Sequence, residues 1–124
     1  YSKAPAGLPL VQHGMQILMD FYHQDVLSLE TIVQKTSHNV ANRFQIKDRG
    51  YIREGYYADL AVLDIDKPYT VSDDNILYKC GWSPFNGHTF QSSIFMTIVN
   101  GNIAFKDGQV AEDLPFGMQI EFDR

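Results

Sequence analysis

Apolar residues recur at three- and four-residue spacing between positions 10 and 22, where Leu10, Val11, Met15, Ile17, Leu18, Met19, Phe21 and Tyr22 form one series. That spacing predicts a helix with a single broad buried stripe, and Pro9 is expected at or just before its first turn. A second helix is expected over residues 29–35. Ser28 would be its N-cap, Glu30 would lie near the positive end of the helix dipole, and Ile32 and Val33 would face inward. Asn39 reads as the cap of a short third helix over residues 40–44. The first third of the chain is therefore helical.

After Gly50 the period changes. Residues 58–65, Ala-Asp-Leu-Ala-Val-Leu-Asp-Ile, form a short apolar run between turn-forming residues. They predict a strand buried on most of its faces, ended by Pro68. Residues 93–99 predict another strand, and Asn100-Gly101 is a strong two-residue hairpin signal because both residues tolerate positive φ. Residues 102–106 then return antiparallel, Asp107-Gly108 makes a second such turn, and residues 109–111 come back a third time. The pattern as a whole is α+β, with helices first and a short-stranded antiparallel β region over the last two-thirds.

Composition keeps the chain in the range of one ordinary globular domain: 124 residues, 44% hydrophobic and 20% charged, with a net charge of −5. Such a length buries about two-thirds of the surface of its unfolded form, so no disulfide or structural metal is needed. Cys80 is a single cysteine and closes no bridge within the chain. The acidic balance argues against nucleic acid and membrane surfaces as partners, since both recruit clustered Lys and Arg. The nearest basic run, Lys47-Asp48-Arg49, carries its own acid. No apolar stretch reaches membrane-spanning length and the first residues lack an export pattern, which gives a cytoplasmic expectation.

The side chains that could carry chemistry do not fall into a recognisable catalytic spacing. His13, His23, His38 and His88 show no His-x-His, His-Glu-x-x-His or His/Cys pairing, so they read as helix-flank, cap-adjacent and turn residues and not as metal ligands. Cys80 sits beside Lys79, which can lower a thiol pKa, but no histidine is assignable to it as a base. Asp59 and Asp64 flank the apolar run, and Asp73-Asp74 reads as loop or cap chemistry.

Four segments taken in order resemble a known family, the cyclic amidohydrolases, and within it the dihydroorotases. Ala4-Pro5-Ala6-Gly7-Leu8-Pro9-Leu10 resembles the Pro/Gly loop between the last barrel strand and the final barrel helices. Ser37-His38-Asn39-Val40-Ala41-Asn42-Arg43-Phe44 is similar to a segment usually written Asn-Pro-Ala, with Val40 where the proline stands. Gly50-Tyr51-Ile52-Arg53-Glu54-Gly55-Tyr56-Tyr57-Ala58-Asp59-Leu60, followed by Asp64, resembles the passage Gly-x-Ile-x-x-Gly-x-x-Ala-Asp-Leu, where the chain leaves the barrel for a β-sandwich. Lys79-Cys80-Gly81-Trp82-Ser83-Pro84-Phe85-Asn86-Gly87, with Val99-Asn100-Gly101 and Asp107-Gly108, resembles the dihydroorotase C-terminal end, and its Trp-Ser-Pro-Phe-x-Gly element is far more specific than Ala-Asp-Leu.

The resemblance implies a C-terminal fragment of an amidohydrolase. Residues 1–49 would be the last barrel loop and the final (β/α)8-barrel helices, and residues 50–124 the C-terminal share of an antiparallel β-sandwich. It implies hydrolysis and reverse closure of a cyclic amide, interconverting dihydroorotate and N-carbamoyl-aspartate in pyrimidine biosynthesis. The divalent metal of that chemistry, zinc by expectation, would be held by residues upstream of Tyr1. No position in this sequence matches a family metal ligand or general base, so none is assigned, no metal is expected on this segment, and the segment alone is expected to be inactive. What maps is the loop: the backbone of Ala6 and Gly7 is the expected substrate-binding contact, because a glycine permits close approach and peptide groups pair with an amide ring without adding charge. Trp82 and Phe85 read as packing residues.

Two other readings stand beside this one: a non-catalytic amidohydrolase-like interaction module, and a related allantoinase or hydantoinase acting on another ring. The opening residues, beginning at Tyr1, read as a loop in mid-course, although tag removal or natural processing would give the same beginning. Faces that normally pack on absent strands would favour a homo-oligomer.

Overall fold

A computed structural model describes residues 7–113 and 116–124 of the chain. Ala6 and the rest of the expected loop before Gly7 lie outside the described residues.

Helix α1 (Gly14–His23) begins four residues later than the spacing suggests. The cause is local, because His13 donates its N–H to the Leu10 carbonyl at 3.0 Å and holds φ −105°, ψ 2°, off the helical basin. Pro9 therefore belongs to the entry loop and not to the first helical turn. At the far end Asp25 adopts a left-handed φ of 57°. There Val26 N–H reaches the Phe21 carbonyl (2.9 Å) and Asp25 N–H the Tyr22 carbonyl (3.0 Å), the paired bonds of a Schellman ending.

Helix α2 (Leu29–Val33) starts as expected, with Ser28 Oγ accepting the Thr31 N–H at 3.2 Å. It does not end where the sequence suggested. A π-helical turn (Gln34–His38) joins it directly to α3 (Asn39–Phe44). Asn39 is helical at φ −66°, ψ −33° and caps nothing, which corrects the expected break. Val40 explains the continuity, since a proline there would push Asn39 out of the α region. Thr36 Oγ1 donates to the Ile32 carbonyl at 2.8 Å, a back-bond that bends helices. Gln45, at φ 55°, closes α3 with the same paired bonds that end α1, from Ile46 to Ala41 and from Gln45 to Asn42.

The β region contains β1 (Leu60–Asp64), β2 (Tyr69–Thr70), β3 (Thr89–Phe90), β4 (Ser93–Val99), β5 (Asn102–Lys106) and β6 (Gln109–Val110). One antiparallel sheet runs β1-β4-β5-β6, and β2 and β3 pair as a separate ribbon. Leu60 faces Ile98 and Asp64 faces Ser93, with an irregularity between Val62 and Leu63. Both expected hairpin turns form, with positive φ at Asn100 and Gly101 and at Asp107 and Gly108. Strand β1 is not buried on most faces: it lies at one end of the strand order, and its side chains are half-buried or exposed.

Burial concentrates where α1 meets the β2–β3 ribbon. Val71 and Phe90 are buried there, together with the polar His13, Gln16 and Ser92, while Met19 is buried on the side of α1 that faces Ile32 and β1.

Candidate functional site

The residues that follow Gly7 are attached to the β region by two consecutive side chains. Gln12 uses both ends of its amide: Nε2 donates to the Asn75 carbonyl at 2.7 Å, and Oε1 accepts the Leu77 N–H at 2.9 Å. His13 is fully buried. Its ring lies 5.8 Å from Phe90 (stacked), 6.2 Å from Phe85, 6.3 Å from Tyr69 and 6.4 Å from Tyr78, measured between centroids. Among the described residues, neither His13 ring nitrogen nor the buried Tyr78 hydroxyl has a hydrogen-bond partner. Burial lowers the His13 pKa and keeps the ring neutral. Desolvation, in turn, raises the Tyr69 phenol.

The Trp82-Ser83-Pro84-Phe85 segment supplies one wall of this cage. Ser83 Oγ accepts the Phe85 N–H at 3.1 Å, and His88 N–H donates to the Phe85 carbonyl at 2.8 Å. Gly87, at φ 81°, sends its N–H to Val71 O at 2.8 Å, and Asn86 Nδ2 reaches Asp73 Oδ1 at 3.0 Å. The turn is thereby pinned to the 71–75 segment, and Phe85 is aimed at His13. Phe85 packs as the sequence suggests, whereas Trp82 remains half-exposed and is not a core residue. The capping at the Asp73–Asn75 turn is done by Ser72 and Asn75 and not by the two aspartates, with Asn75 Oδ1 accepting the Ser72 N–H at 3.0 Å.

The other histidines are engaged separately. His23 Nε2 lies 2.9 Å from Ser92 Oγ and 3.1 Å from the Ile65 carbonyl, and Ser92 Oγ donates to that same carbonyl at 2.7 Å. A carbonyl only accepts, so His23 Nε2 carries the hydrogen and donates to both oxygens. This is the reverse of a base activating a nucleophile. His38 stacks on Tyr51 at 4.2 Å in mid-helix instead of sitting beside a cap. His88 Nε2 is 3.3 Å from Asp20 Oδ2, and Asp20 Oδ1 accepts the Gln91 N–H at 3.2 Å. No group of three His, Cys, Asp or Glu among the described residues could hold a metal ion. The residues described therefore do not fit the family's metal, and no step is derived through it.

Asp59 of the Ala-Asp-Leu passage has a structural partner set. It pairs with Arg49, and its Oδ1 accepts the Asn100 N–H at 2.8 Å; Arg49 Nη2 also donates to Asn100 Oδ1 at 2.8 Å. Asn100 Nδ2 continues the network to the Phe116 carbonyl. The guanidinium of Arg49 covers the Tyr57 ring at 4.1 Å.

Gly7, the described half of the expected substrate contact, is exposed with φ 81°, and a Cβ built on it meets nothing within 4 Å. A cleft of about 500 Å³ opens between α1 and the sheet beside Val11, Gln12, Tyr69 and Phe95, with Lys67 and Asp107 as its charged liners. The sequence offered no signal for Gln12 or His13 as anchors, because their partners lie more than 55 positions away. No helix of the described residues is long and apolar enough to cross a membrane.

A family model described as the amidohydrolase family matches residues 12–105. Over 108 residues the chain is 34% identical to a dihydroorotase of Pyrococcus abyssi, covering 87% of this chain and 26% of that protein. Over 121 residues it is 35% identical to an allantoinase of Desulfitobacterium hafniense, covering 97% of this chain and 27% of the relative. Among solved structures, L-hydantoinase (dihydropyrimidinase) from Arthrobacter aurescens superposes with a TM-score of 0.69 at 25% identity, over 90% of this chain and 23% of that one. A D-hydantoinase at 18% identity shares the fold at a TM-score of 0.77, over 86% of this chain and 23% of its own. The chain belongs to the amidohydrolase family. It spans about a quarter of the length of the curated relatives it matches.

Proposed function

We propose that this chain is the C-terminal portion of a dihydroorotase-type hydrolase of cyclic amides. Water adds to the ring carbonyl carbon, the ring C–N bond breaks, and the reverse reaction closes the ring. The observation that carries this reading is the Trp-Ser-Pro-Phe-x-Gly turn, supported by the 34% identity to a dihydroorotase across 87% of the chain. Residues 1–49 are read as the last barrel loop and final barrel helices, and residues 50–124 as a share of a sandwich. On this reading a divalent metal, zinc by expectation, would be held by residues outside this sequence and would supply Lewis-acid chemistry at the carbonyl.

The part assigned to this chain is substrate binding, through the peptide groups of Ala6 and Gly7 against the ring amide. Gly7 suits that role because its left-handed φ leaves the backbone bare and exposed. The 35% identity to an allantoinase favours a second reading, in which the same site accepts a hydantoin-type ring. Assaying the full-length gene product on dihydroorotate, allantoin and hydantoin decides between them, with dihydroorotate turnover expected. Residues 1–124 alone, given zinc, are expected to show no turnover, and measurable hydrolysis would refute the assignment of the metal centre to other residues.

A further inference from the structure

We propose that Gln12 and His13 are positioning residues for the ring contact at Gly7, so that the 69–90 segment sets where that backbone lies. The proposal rests on the reading of Gly7 as a substrate contact.

The loop has little packing of its own. Gly7 is exposed and a Cβ built on it meets no described atom within 4 Å, Leu8 is 62% exposed and Val11 is 90% exposed. Its conformation is passed along the backbone instead. The Leu8 carbonyl accepts the Leu10 N–H at 2.9 Å, the Leu10 carbonyl accepts the His13 N–H at 3.0 Å, and the His13 carbonyl accepts the Ile17 N–H at 3.0 Å. This ladder ends on the two side chains that are fixed, Gln12 clamped to Asn75 and Leu77, and His13 enclosed by four rings. The clamp is itself rigid: Asn75 Nδ2 donates to the Thr70 carbonyl at 2.8 Å, and its N–H donates to the Ser72 carbonyl at 3.1 Å. A displacement at Gln12 or His13 is therefore passed through these bonds to Leu8 and the adjoining Gly7, where a built Cβ meets no described atom within 4 Å.

Four variants of the full-length protein test this. Gln12→Met removes both hydrogen bonds at nearly constant volume, and Gln12→Glu keeps only the acceptor for Leu77. His13→Ala empties the cage, and His13→Phe refills it. KM for the cyclic amide is expected to rise about tenfold in Gln12→Met and His13→Ala, with kcat within about twofold, since a binding contact is lost and not the reacting groups. Gln12→Glu should fall between, and His13→Phe should restore KM. Gly101→Ala, in a hairpin remote from the loop, should lower Tm and leave KM alone. If KM is unchanged in Gln12→Met and His13→Ala, or rises equally in Gly101→Ala, the proposal is overturned. A full-length protein inactive on every ring tested would refute the functional reading instead. Positioning would then be decided by amide hydrogen exchange at Gly7 and Leu8, expected to be about tenfold faster in Gln12→Met and His13→Ala and restored in His13→Phe. Unchanged exchange would overturn it, and Gln12→Glu and His13→Phe serve as folded variants if the harsher pair fails to fold.

Discussion

At the scale of single residues, two side chains behave differently from their appearance in the sequence. His13 is a buried neutral ring with no partner for either nitrogen among the described residues, so its burial costs free energy that packing against four rings offsets. Because burial lowers its folded pKa below the ordinary 6.5, the unfolded chain binds the proton more readily as pH falls through that value. Stability from this group is thus complete above about pH 6.5 and declines below it, by no more than about 1.4 kcal/mol per pH unit for one proton. Urea titrations between pH 8 and pH 5 should show a shallower loss for His13→Phe than for the parent chain, and equal slopes would count against the buried neutral ring. Asp59, which reads as a strand-flanking carboxylate, closes the Asn100 turn and pairs with the largely buried Arg49. Asp59→Ala should therefore cost about 1–3 kcal/mol by chemical denaturation, since it removes the acceptor of the Asn100 N–H and the carboxylate partner of Arg49.

At the scale of elements, the turns were the most legible part of the chain. Asn100-Gly101 and Asp107-Gly108 combine residues that tolerate positive φ with flanking strands, and local chemistry alone sets such hairpins. The helix ends were less legible: α1 and α3 close on Asp25 and Gln45 in left-handed geometry where a glycine would be the usual signal. Continuity from α2 into α3 through a π turn was also hidden: Asn39 has a local preference for a cap, yet Val40 after it leaves Asn39 free to stay helical. Gly50 shows how the helices bear on the chain beyond them. A Cβ there would approach Ala41 Cβ to 2.5 Å and Ser37 O to 3.1 Å, whereas one at Gly101 meets nothing, with φ 81° at both. Both alanine variants should lose about 1–2 kcal/mol to the left-handed backbone, and Gly50→Ala about 1–3 kcal/mol more from overlap. Thermal melts giving equal losses would contradict the close approach of residue 50 to the α3 region.

At the scale of the whole molecule, α1 is held on the β region by polar contacts as much as by apolar ones. Gln12, Asp20 and His23 reach Asn75, Leu77, Gln91, Ile65 and Ser92 across 42 to 71 positions. Elsewhere the surface carries large apolar groups, Ile52 at 89% and Val11 at 90% exposure among them. Such surface favours association, so sedimentation at increasing concentration should show a dimer or larger species. A monomer throughout would argue that these side chains are tolerated singly.

The sequence by itself determined the helical first third, the four strands of the main sheet but not the β2–β3 ribbon, both hairpins, the Ser28 cap, and the motifs that mark the amidohydrolase family. Each of these depends on residues within a few positions of one another, where spacing and φ preference are decisive. Only the tertiary structure decided that β1 lies at a sheet end, that Phe85 meets His13, that His23 donates to Ser92, and that Gln12 anchors the loop entering α1. Those contacts join residues 29 or more positions apart, and chain closure on that scale is set by the packing of whole elements, to which no local pattern of side chains refers.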